Sequence, residues 1–497
     1  MQAVLGVDMG TTNIKAVVFG LDGSVLGLGR MELQDISPSS GASEHSLDEL
    51  WNAFALTVKT AVQYSGVSPE HIGGIGFSTY LGGFTALDTD GQPIIPNMLT
   101  WKDKRALKHK DKVFEGITED EYRRRIGQRW TGSQAVPRFH WLKEHAGVDA
   151  DRVGNLILCA KQYAVYRLLG THHLDWECAR STGLFNMETR QWQRDQFETW
   201  GIRESMLPRL WKCHDVIGQV PAETARFLGL APGTPVVIGG GDGLMSSVGC
   251  GVIQPGIAAA SIGTVAVVRG FRREYVHVKN PIVDCKILPD VGFLNSAIAL
   301  TGGLALKWFR DKLGRLETVV AEESGIDAFV LVDQMASQAS PGCDGLLYVP
   351  PKPGDVAFDG SGHPVGSFIG VTERHGRKEF ARAIMEGIAY ILRTELRMLL
   401  EEGYEPFELM RFGGGGARSP LWCQIVADTT RLPVETVATE ETGALGAAIM
   451  AAWGVGAFGS LQDAVESMVH VVRHYDPEPT SARIYEMACA RRETLAL

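Results

Sequence analysis

The sequence predicts an α/β protein built from two similar sheet-and-helix domains, and three features predict it. Its 497 residues exceed what one hydrophobic core usually organises, so two domains of roughly 250 residues each are expected. The amino-terminal stretch reads β-β-β-α-β. Near the middle, apolar Ile257 to Ile262 runs through Gly263-Thr264 into apolar Val265 to Val268, repeating the opening pattern. Two facing copies of one module imply a deep cleft between them, with the boundary near Gln254-Pro255 and domains 1–253 and 254–497.

Residues 2–7 are apolar, 13–19 alternate into a second apolar run, and 24–30 form a third after the turn pair Asp22-Gly23, which together predict a meander. A helical pattern follows from Ser46 to about Tyr64, with Ser46 and Glu49 at capping-box spacing, and then a strand at Ile72 to Phe77. This order departs from the β-α-β start of a dinucleotide fold, because the glycine turn at 8–13 joins two adjacent strands. Farther on, a buried-looking strand at Val236 to Ile238 ends in glycines. The second half shows a Gly-rich turn at 413–416, a helix from Pro420 to Thr430, a small-residue helix from Thr442 to Trp453 and an amphipathic helix from Ser481 to Thr494. All of these are assigned to the second domain.

A content of 45% hydrophobic and 21% charged residues is that of a chain that folds almost throughout. With 58 acidic against 48 basic residues the formal charge is -10, which argues against nucleic acid as a partner. The basic stretch Lys102 to Lys112 alternates with Asp and Leu and reads as a solvated helix face. Cysteines 159, 178, 213, 250, 285, 343, 423 and 489 are widely spaced without a CxxC pair, so reduced structural thiols are expected. The start MQAVLGVDMGTT has neither a basic leader nor a signal-length apolar segment, and no 18-residue apolar run follows. A cytoplasmic location with no membrane partner is the expectation.

The strongest local signal is Val7-Asp8-Met9-Gly10-Thr11-Thr12-Asn13-Ile14-Lys15, a tight turn carrying a carboxylate, backbone donors, two hydroxyls and a cation. A polyphosphate with magnesium asks for each of these. Gly10 lets the backbone approach, Thr11 and Thr12 donate to phosphate oxygens, Asp8 holds Mg2+ through water, and Lys15 neutralises charge. An ordinary hairpin would use the same turn, but two further parts match. Ser261-Ile262-Gly263-Thr264 offers a second hydroxyl-bearing turn, and Gly413 to Gly416 offers bare backbone on which adenine could lie. Four successive glycines are costly in conformational entropy, so close ligand approach explains them better than a plain loop.

Between these turns Gly239-Gly240-Gly241-Asp242-Gly243 places one carboxylate at the tip of a strand. Phosphoryl transfer needs a carboxylate near the acceptor hydroxyl, which makes Asp242 the candidate general base. Two patterns are set aside. Gly454-Val-Gly456-Ala-Phe-Gly459 fits dinucleotide spacing but follows an apolar helix, so it reads as a helix stop, and no GxxxxGK[ST] P-loop occurs.

Taken together, these residues resemble the FGGY carbohydrate kinases, whose two domains are ribonuclease H-like and belong to the actin and sugar-kinase superfamily. The resemblance covers DMGTTNIK from Asp8, Trp101 to Arg105, Gly239 to Asp242, SIGT from Ser261, Gly302-Gly303, GGGARSPLW from Gly414, and a second signature from Gly366 through Glu379-Phe380 to Glu386. It implies ATP and Mg2+ as cofactors. Asp242 then matches the catalytic base, Asp8 the metal residue, and Gly10, Thr11, Thr12 and Lys15 the phosphate turn. Gly263 and Thr264 match the second phosphate turn, and Gly303, Gly416 and Ala417 match nucleotide contacts. Tyr80, Leu81, Trp101, Asp103, Asp242 and Gly243 are the implied substrate contacts, with Trp101, Asp103 and Arg105 either touching the sugar or packing beneath it. Glu386 is expected to orient its helix.

The chain departs from the family at Thr79-Tyr80-Leu81-Gly82-Gly83, where xylulokinases and many gluconokinases carry Gln-Met-His, and again at Pro351-Lys352-Pro353-Gly354. Losing His and Met from this turn removes a polar partner for sugar hydroxyls, and an unpaired hydroxyl costs roughly 1–3 kcal/mol. The resemblance therefore implies an ATP-dependent kinase of a pentulose such as xylulose, with gluconate or another polyol as runner-up. An ATPase of the actin or chaperone type and a sugar-binding regulator without catalysis are the readings of other classes. Domain closure over the sugar, and a homodimer, are further expectations.

Overall fold

The computed structural model describes residues 1–263, 265–299, 301–351 and 366–495. They form two compact units, Met1–Ile253 with Arg273–Leu294 and Glu441–His470, and Gln254–Arg272 with Asn295–Glu440 and Val471–Leu497. The units are not contiguous halves of the chain. The small-residue helix that the sequence reading gave to the second domain belongs to the first.

In the first unit the opening meander is β1 (Ala3–Met9), β2 (Asn13–Gly20) and β3 (Val25–Glu32), followed by helix α1 (Leu47–Ser65) and strand β4 (Ile72–Thr79). Ser46 caps α1 by accepting the Glu49 N–H at 3.3 Å, while the Glu49 carboxylate takes the N–H of Gln34 at 3.0 Å, so half of the expected capping box forms. Apolar residues three and four apart, among them Leu47, Leu50, Phe54, Val58 and Ala61, bury one face of α1, and Gly66 at φ 65° ends it. Strands β5 (Val216–Gln219), β6 (Pro235–Val237) and β7 (Gly240–Gly241) complete a sheet of order β5-β6-β4-β1-β2-β3, with β7 also on β4. Helix α2 (Asp242–Gly249) leaves β7 directly.

Helix α1 packs on β2 and β3, and the helix Thr442–Gly454 packs on β1, β4 and α2. The second helix is buried nearly all round, and missing side chains are what let it in. A Cβ at Gly6 would overlap the carbonyl of Ala444, one at Gly76 the carbonyl of Ala447, and one at Gly446 the carbonyl of Met245. Backbone meets backbone at each of these points. That is the physical reason this stretch joins the first unit, since only strands and a helix with glycines at these positions can accept it at such range.

The second unit contains β8 (Ile257–Ile262), β9 (Ala266–Arg272), the part of β10 (Gly292–Ala299) from Asn295 on, α3 (Gly303–Lys312), α4 (Ala328–Ala336), α5 (Arg377–Glu401), β11 (Leu409–Gly413), α6 (Pro420–Thr430), β12 (Val434–Val437), β13 (Val471–Tyr475) and α7 (Pro479–Thr494). Its strands run β10-β9-β8-β11-β12-β13. The antiparallel β1–β2 pair of the first sheet corresponds to β8–β9, parallel β1–β4 to β8–β11, parallel β4–β6 to β11–β12, and antiparallel β6–β5 to β12–β13. The repeated opening motif is thus a repeated sheet, and the class is α/β with two ribonuclease H-like domains.

Glu386 on α5 accepts hydrogen bonds from the Gly342 N–H at 3.0 Å, from Arg382 at 2.8 Å and from the Tyr485 hydroxyl at 2.9 Å, tying α7 to α5. The glycine pattern at 454–459 follows the end of a helix, with Gly456 at φ 77°. The cysteines are free thiols, all buried except Cys489. Among the described residues no helix is long and apolar enough to cross a membrane.

Candidate active site

In the first unit two carboxylates emerge at the carboxyl ends of β1 and β7, the parallel strands on either side of β4. Asp8 on β1 stands in register with Ser78 on β4, and Ser78 in turn with Gly240 on β7, one step before Gly241 and Asp242. Such strand ends, where side chains leave the sheet without neighbours above them, are where open α/β sheets bind ligands. Asp242 is exposed at the start of α2, and its Oδ1 accepts the N–H of Gly243 at 2.7 Å.

Asp8 accepts a hydrogen bond from the Ser78 hydroxyl at 2.6 Å. Burial pushes its carboxyl up from 3.8 to about 6. The Ser78 bond opposes that rise, the charge of Asp242 adds to it, Lys15 opposes it and Glu441 adds to it. Gly443 at the start of the small-residue helix completes the enclosure, because a Cβ there would sit 2.9 Å from Asp8 Oδ2.

The turn after β1 is closed by the Gly10 N–H donating to the Asn13 carbonyl at 3.0 Å, with Thr11 half-buried and Thr12 exposed at its tip. Lys15 faces Asp8 across β1 and β2, but its ammonium is 2.5 Å from Glu441. The cation expected to stand ready for phosphate already has an acidic partner. Glu441, Ser78 and Gly443 escaped sequence reasoning. The only signal was an acidic residue opening a Gly/Ala-rich helix, which reads as a core helix until its position is known.

Of the expected substrate contacts, Leu81 and Trp101 lie near the strand end. A Cβ at Gly241 would meet Leu81 Cδ2 at 2.8 Å, and one at Gly82 would meet the Trp101 Cβ at 3.2 Å. Trp101 is 51% exposed. Tyr80 and Asp103, also expected as contacts, are both buried. Tyr80 is buried, with its hydroxyl 3.2 Å from His45 Nδ1. Asp103 is buried and saturated, accepting the Ser43 N–H at 3.0 Å and Arg105 at 2.9 and 2.7 Å. Arg105 also pairs with Glu44 and lies 4.4 Å from the centre of the Trp141 ring. Asp103 and Arg105 therefore hold the loop together. Gly243 is buried beside Asp242 and offers its N–H to that carboxylate.

The second unit contains a cavity of about 620 Å³ bordered by Gly263, Gly303 and Gly416, with Leu304, Phe329 and Met385 among its apolar walls. The Gly303 N–H donates to the Gly263 carbonyl at 2.7 Å, joining the two turns. Gly414, at φ 76°, needs its missing side chain, since a Cβ would stand 3.1 Å from the Ile262 carbonyl oxygen. Asp327 caps α4 through the Phe329 N–H at 2.8 Å, and the Arg310 guanidinium lies 4.5 Å from the Phe329 ring centre. Ser419 caps α6 through the Trp422 N–H at 2.8 Å and also bonds Asp333, whose carboxyl burial pushes up. Ala417 lines a neighbouring cavity of about 330 Å³ with Gly413, Gly414 and Arg418, not the larger one. Thr264 and residues 352–354 lie outside the described residues.

Among the described residues no cluster of three or more His, Cys, Asp or Glu side chains is placed to hold a metal ion. Magnesium does not demand one, since it keeps several waters and is commonly held by one or two carboxylates together with substrate phosphates. Asp8 and Asp242, close enough for the charge of one to raise the other's carboxyl, fit that pattern.

Known proteins match along the chain. The model for the N-terminal domain of the FGGY family of carbohydrate kinases matches residues 3–249, and that for the C-terminal domain matches 258–455. The autoinducer-2 kinase of Escherichia coli K12 is 30% identical over 503 residues, spanning 97% of this chain and 92% of its own length. A xylulose kinase of Staphylococcus epidermidis is 30% identical over 488 residues, spanning 98% and 94%. In fold, the ligand-bound xylulose kinase of Lactobacillus acidophilus superposes with a TM-score of 0.86 at 23% identity, covering 100% of this chain and 99% of that one. The gluconate kinase of the same organism reaches 0.84 at 22%, covering 99% and 98%. The protein is a sugar kinase and belongs to the FGGY family of carbohydrate kinases.

Proposed function

We propose that the protein transfers the terminal phosphoryl group of ATP to a hydroxyl of a pentulose such as xylulose, with Asp242 accepting the hydroxyl proton. The observation that carries this is the pair of carboxylates at the ends of the two strands that flank β4, one partly buried and one exposed. Asp8, bonded to Ser78 and walled by Gly443, is the group that would hold Mg2+, and Asp242 keeps the solvent access a proton acceptor needs. Magnesium, when bound, supplies positive charge to the phosphate oxygens. Gly10, Thr11 and Thr12 offer backbone and hydroxyl donors to the phosphates, and Lys15 with Glu441 orients that turn. The glycine-bordered cavity suits adenosine in size and in apolar lining, with Gly263, Gly303 and Gly416 against the nucleotide. The apolar Leu81 and the exposed Trp101 form the sugar side.

A second reading is favoured by the same turn. Leu81 gives no hydrogen bond where a polar side chain would read a sugar hydroxyl, and one relative at 30% identity is named for autoinducer-2. A less hydroxylated acceptor fits that wall, with gluconate as a further candidate. A coupled ATP-consumption screen over pentuloses, hexonates, polyols and deoxysugars decides among them. Xylulose is expected to give the highest kcat/KM, and ATP turnover that none of these compounds stimulates would contradict the proposal.

A further inference from the structure

Arg138 is a fully buried cation whose partners are backbone carbonyls. It lies on the helix Ala135–Ala146, and among the described residues no carboxylate forms an ion pair with it. One end of its guanidinium donates to the carbonyl of Gly82, and the other to the carbonyl of Thr100 at 2.6 Å. Nε faces no acceptor. Burial depresses its pKa to about 10, against the pull of Asp103.

Burying such a charge is expensive, and an apolar side chain of similar volume often gives equal stability, so stability alone is a weak reason for an arginine here. The two carbonyls give a better one. They belong to the turn carrying Leu81 and to the segment carrying Trp101. These segments are already joined by paired backbone bonds between Phe84 and Leu99 at 3.0 and 2.8 Å. Beyond that pair each segment turns away, Gly82 in the left-handed region at φ 75°. A planar fork that donates in two directions is what arginine offers and lysine does not.

We propose that Arg138 is a positioning residue for the acceptor, its guanidinium clamping the Gly82 and Thr100 carbonyls so that Leu81 and Trp101 keep one fixed separation beside Asp242. This rests on the acceptor-binding role proposed above for those two residues. The clamp touches neither substrate nor nucleotide and acts through the backbone of the two segments.

The test compares wild type with Arg138→Lys and with Arg138→Met, which removes the buried charge at similar volume. In both, the KM for the acceptor is expected to rise about 10–100-fold, the scale of a lost hydrogen bond to a charged group. The KM for ATP and the kcat at saturating acceptor stay near wild type. Amide hydrogen exchange of the nucleotide-free protein is expected to quicken at residues 80–84 and 99–103 and nowhere else. An unchanged acceptor KM in a folded variant, equal losses toward acceptor and ATP, or unchanged exchange in those segments overturns the clamp. Failure of both variants to fold also overturns it, because the arginine would then serve stability. Should wild type phosphorylate nothing in the screen, the proposed function fails and the exchange result alone decides the clamp.

Discussion

Replacing Asp8 by Asn is expected to make the nucleotide-free protein more stable at neutral pH, and the structure gives the size and sign of the effect. The carboxyl sits in a pocket closed by Ser78 and Gly443, and burial raises it from 3.8 to about 6. Between these values the folded protein holds a proton that the unfolded chain has lost, so stability falls as pH rises through this window and is level on either side. At 1.36 kcal/mol per pH unit the loss is about 3 kcal/mol, a ceiling because Asp8 keeps some contact with water. Asn does not titrate. Urea unfolding of wild type and Asp8→Asn should therefore give curves that nearly coincide at about pH 4 and separate by up to about 3 kcal/mol at about pH 7, the variant being the more stable. A ligand that takes the ionised carboxylate stabilises wild type selectively, so Mg2+ with an ATP analogue should shrink or reverse the gap. A gap that is constant with pH would refute the reasoning, since it would mean that the carboxyl titrates alike in both states.

Glycine substitutions separate packing from binding. Gly446→Ala drives a methyl into the Met245 carbonyl and should cost about 1–3 kcal/mol in thermal or urea unfolding, the usual scale for overpacking. Gly263→Ala meets nothing within 4 Å, so it should leave the Tm unchanged while weakening ATP binding measured by calorimetry. The Lys15–Glu441 pair, at side-chain exposures of 25% and 19%, should show a coupling of about 1 kcal/mol in a double-mutant cycle with Lys15→Met and Glu441→Gln, falling with added salt.

The opening meander, α1 and the strand at 72 were legible because short-range patterns decide them: short apolar runs, turn pairs such as Asp22-Gly23, and the Ser46 cap. The duplication was legible for the same reason, since Ile257 to Val268 repeats a local pattern that needs no knowledge of the rest. The destination of the small-residue helix was not. Thr442–Gly454 has no polar face to orient it, and its position follows from glycines at 6, 76 and 249, far away in sequence. Because it moved, Glu441 arrived beside Lys15 unforeseen. The family motif singled out Asp8 and Asp242, which the structure puts at the ends of the two strands flanking β4, but a motif does not tell a contact from a support. Tyr80 and Asp103 sit within recognisable motifs, but their burial and their bonds to His45 and Ser43 depend on segments far away in sequence.

The most direct test of the central claim is to compare Asp242→Asn with wild type in two assays on the same protein, Mg·ATP binding by calorimetry and turnover with the best acceptor from the screen. The account predicts binding close to wild type and turnover lower by about a hundredfold or more, the scale of a lost general base. Turnover that survives the substitution would contradict it, and so would a loss explained entirely by weaker nucleotide binding.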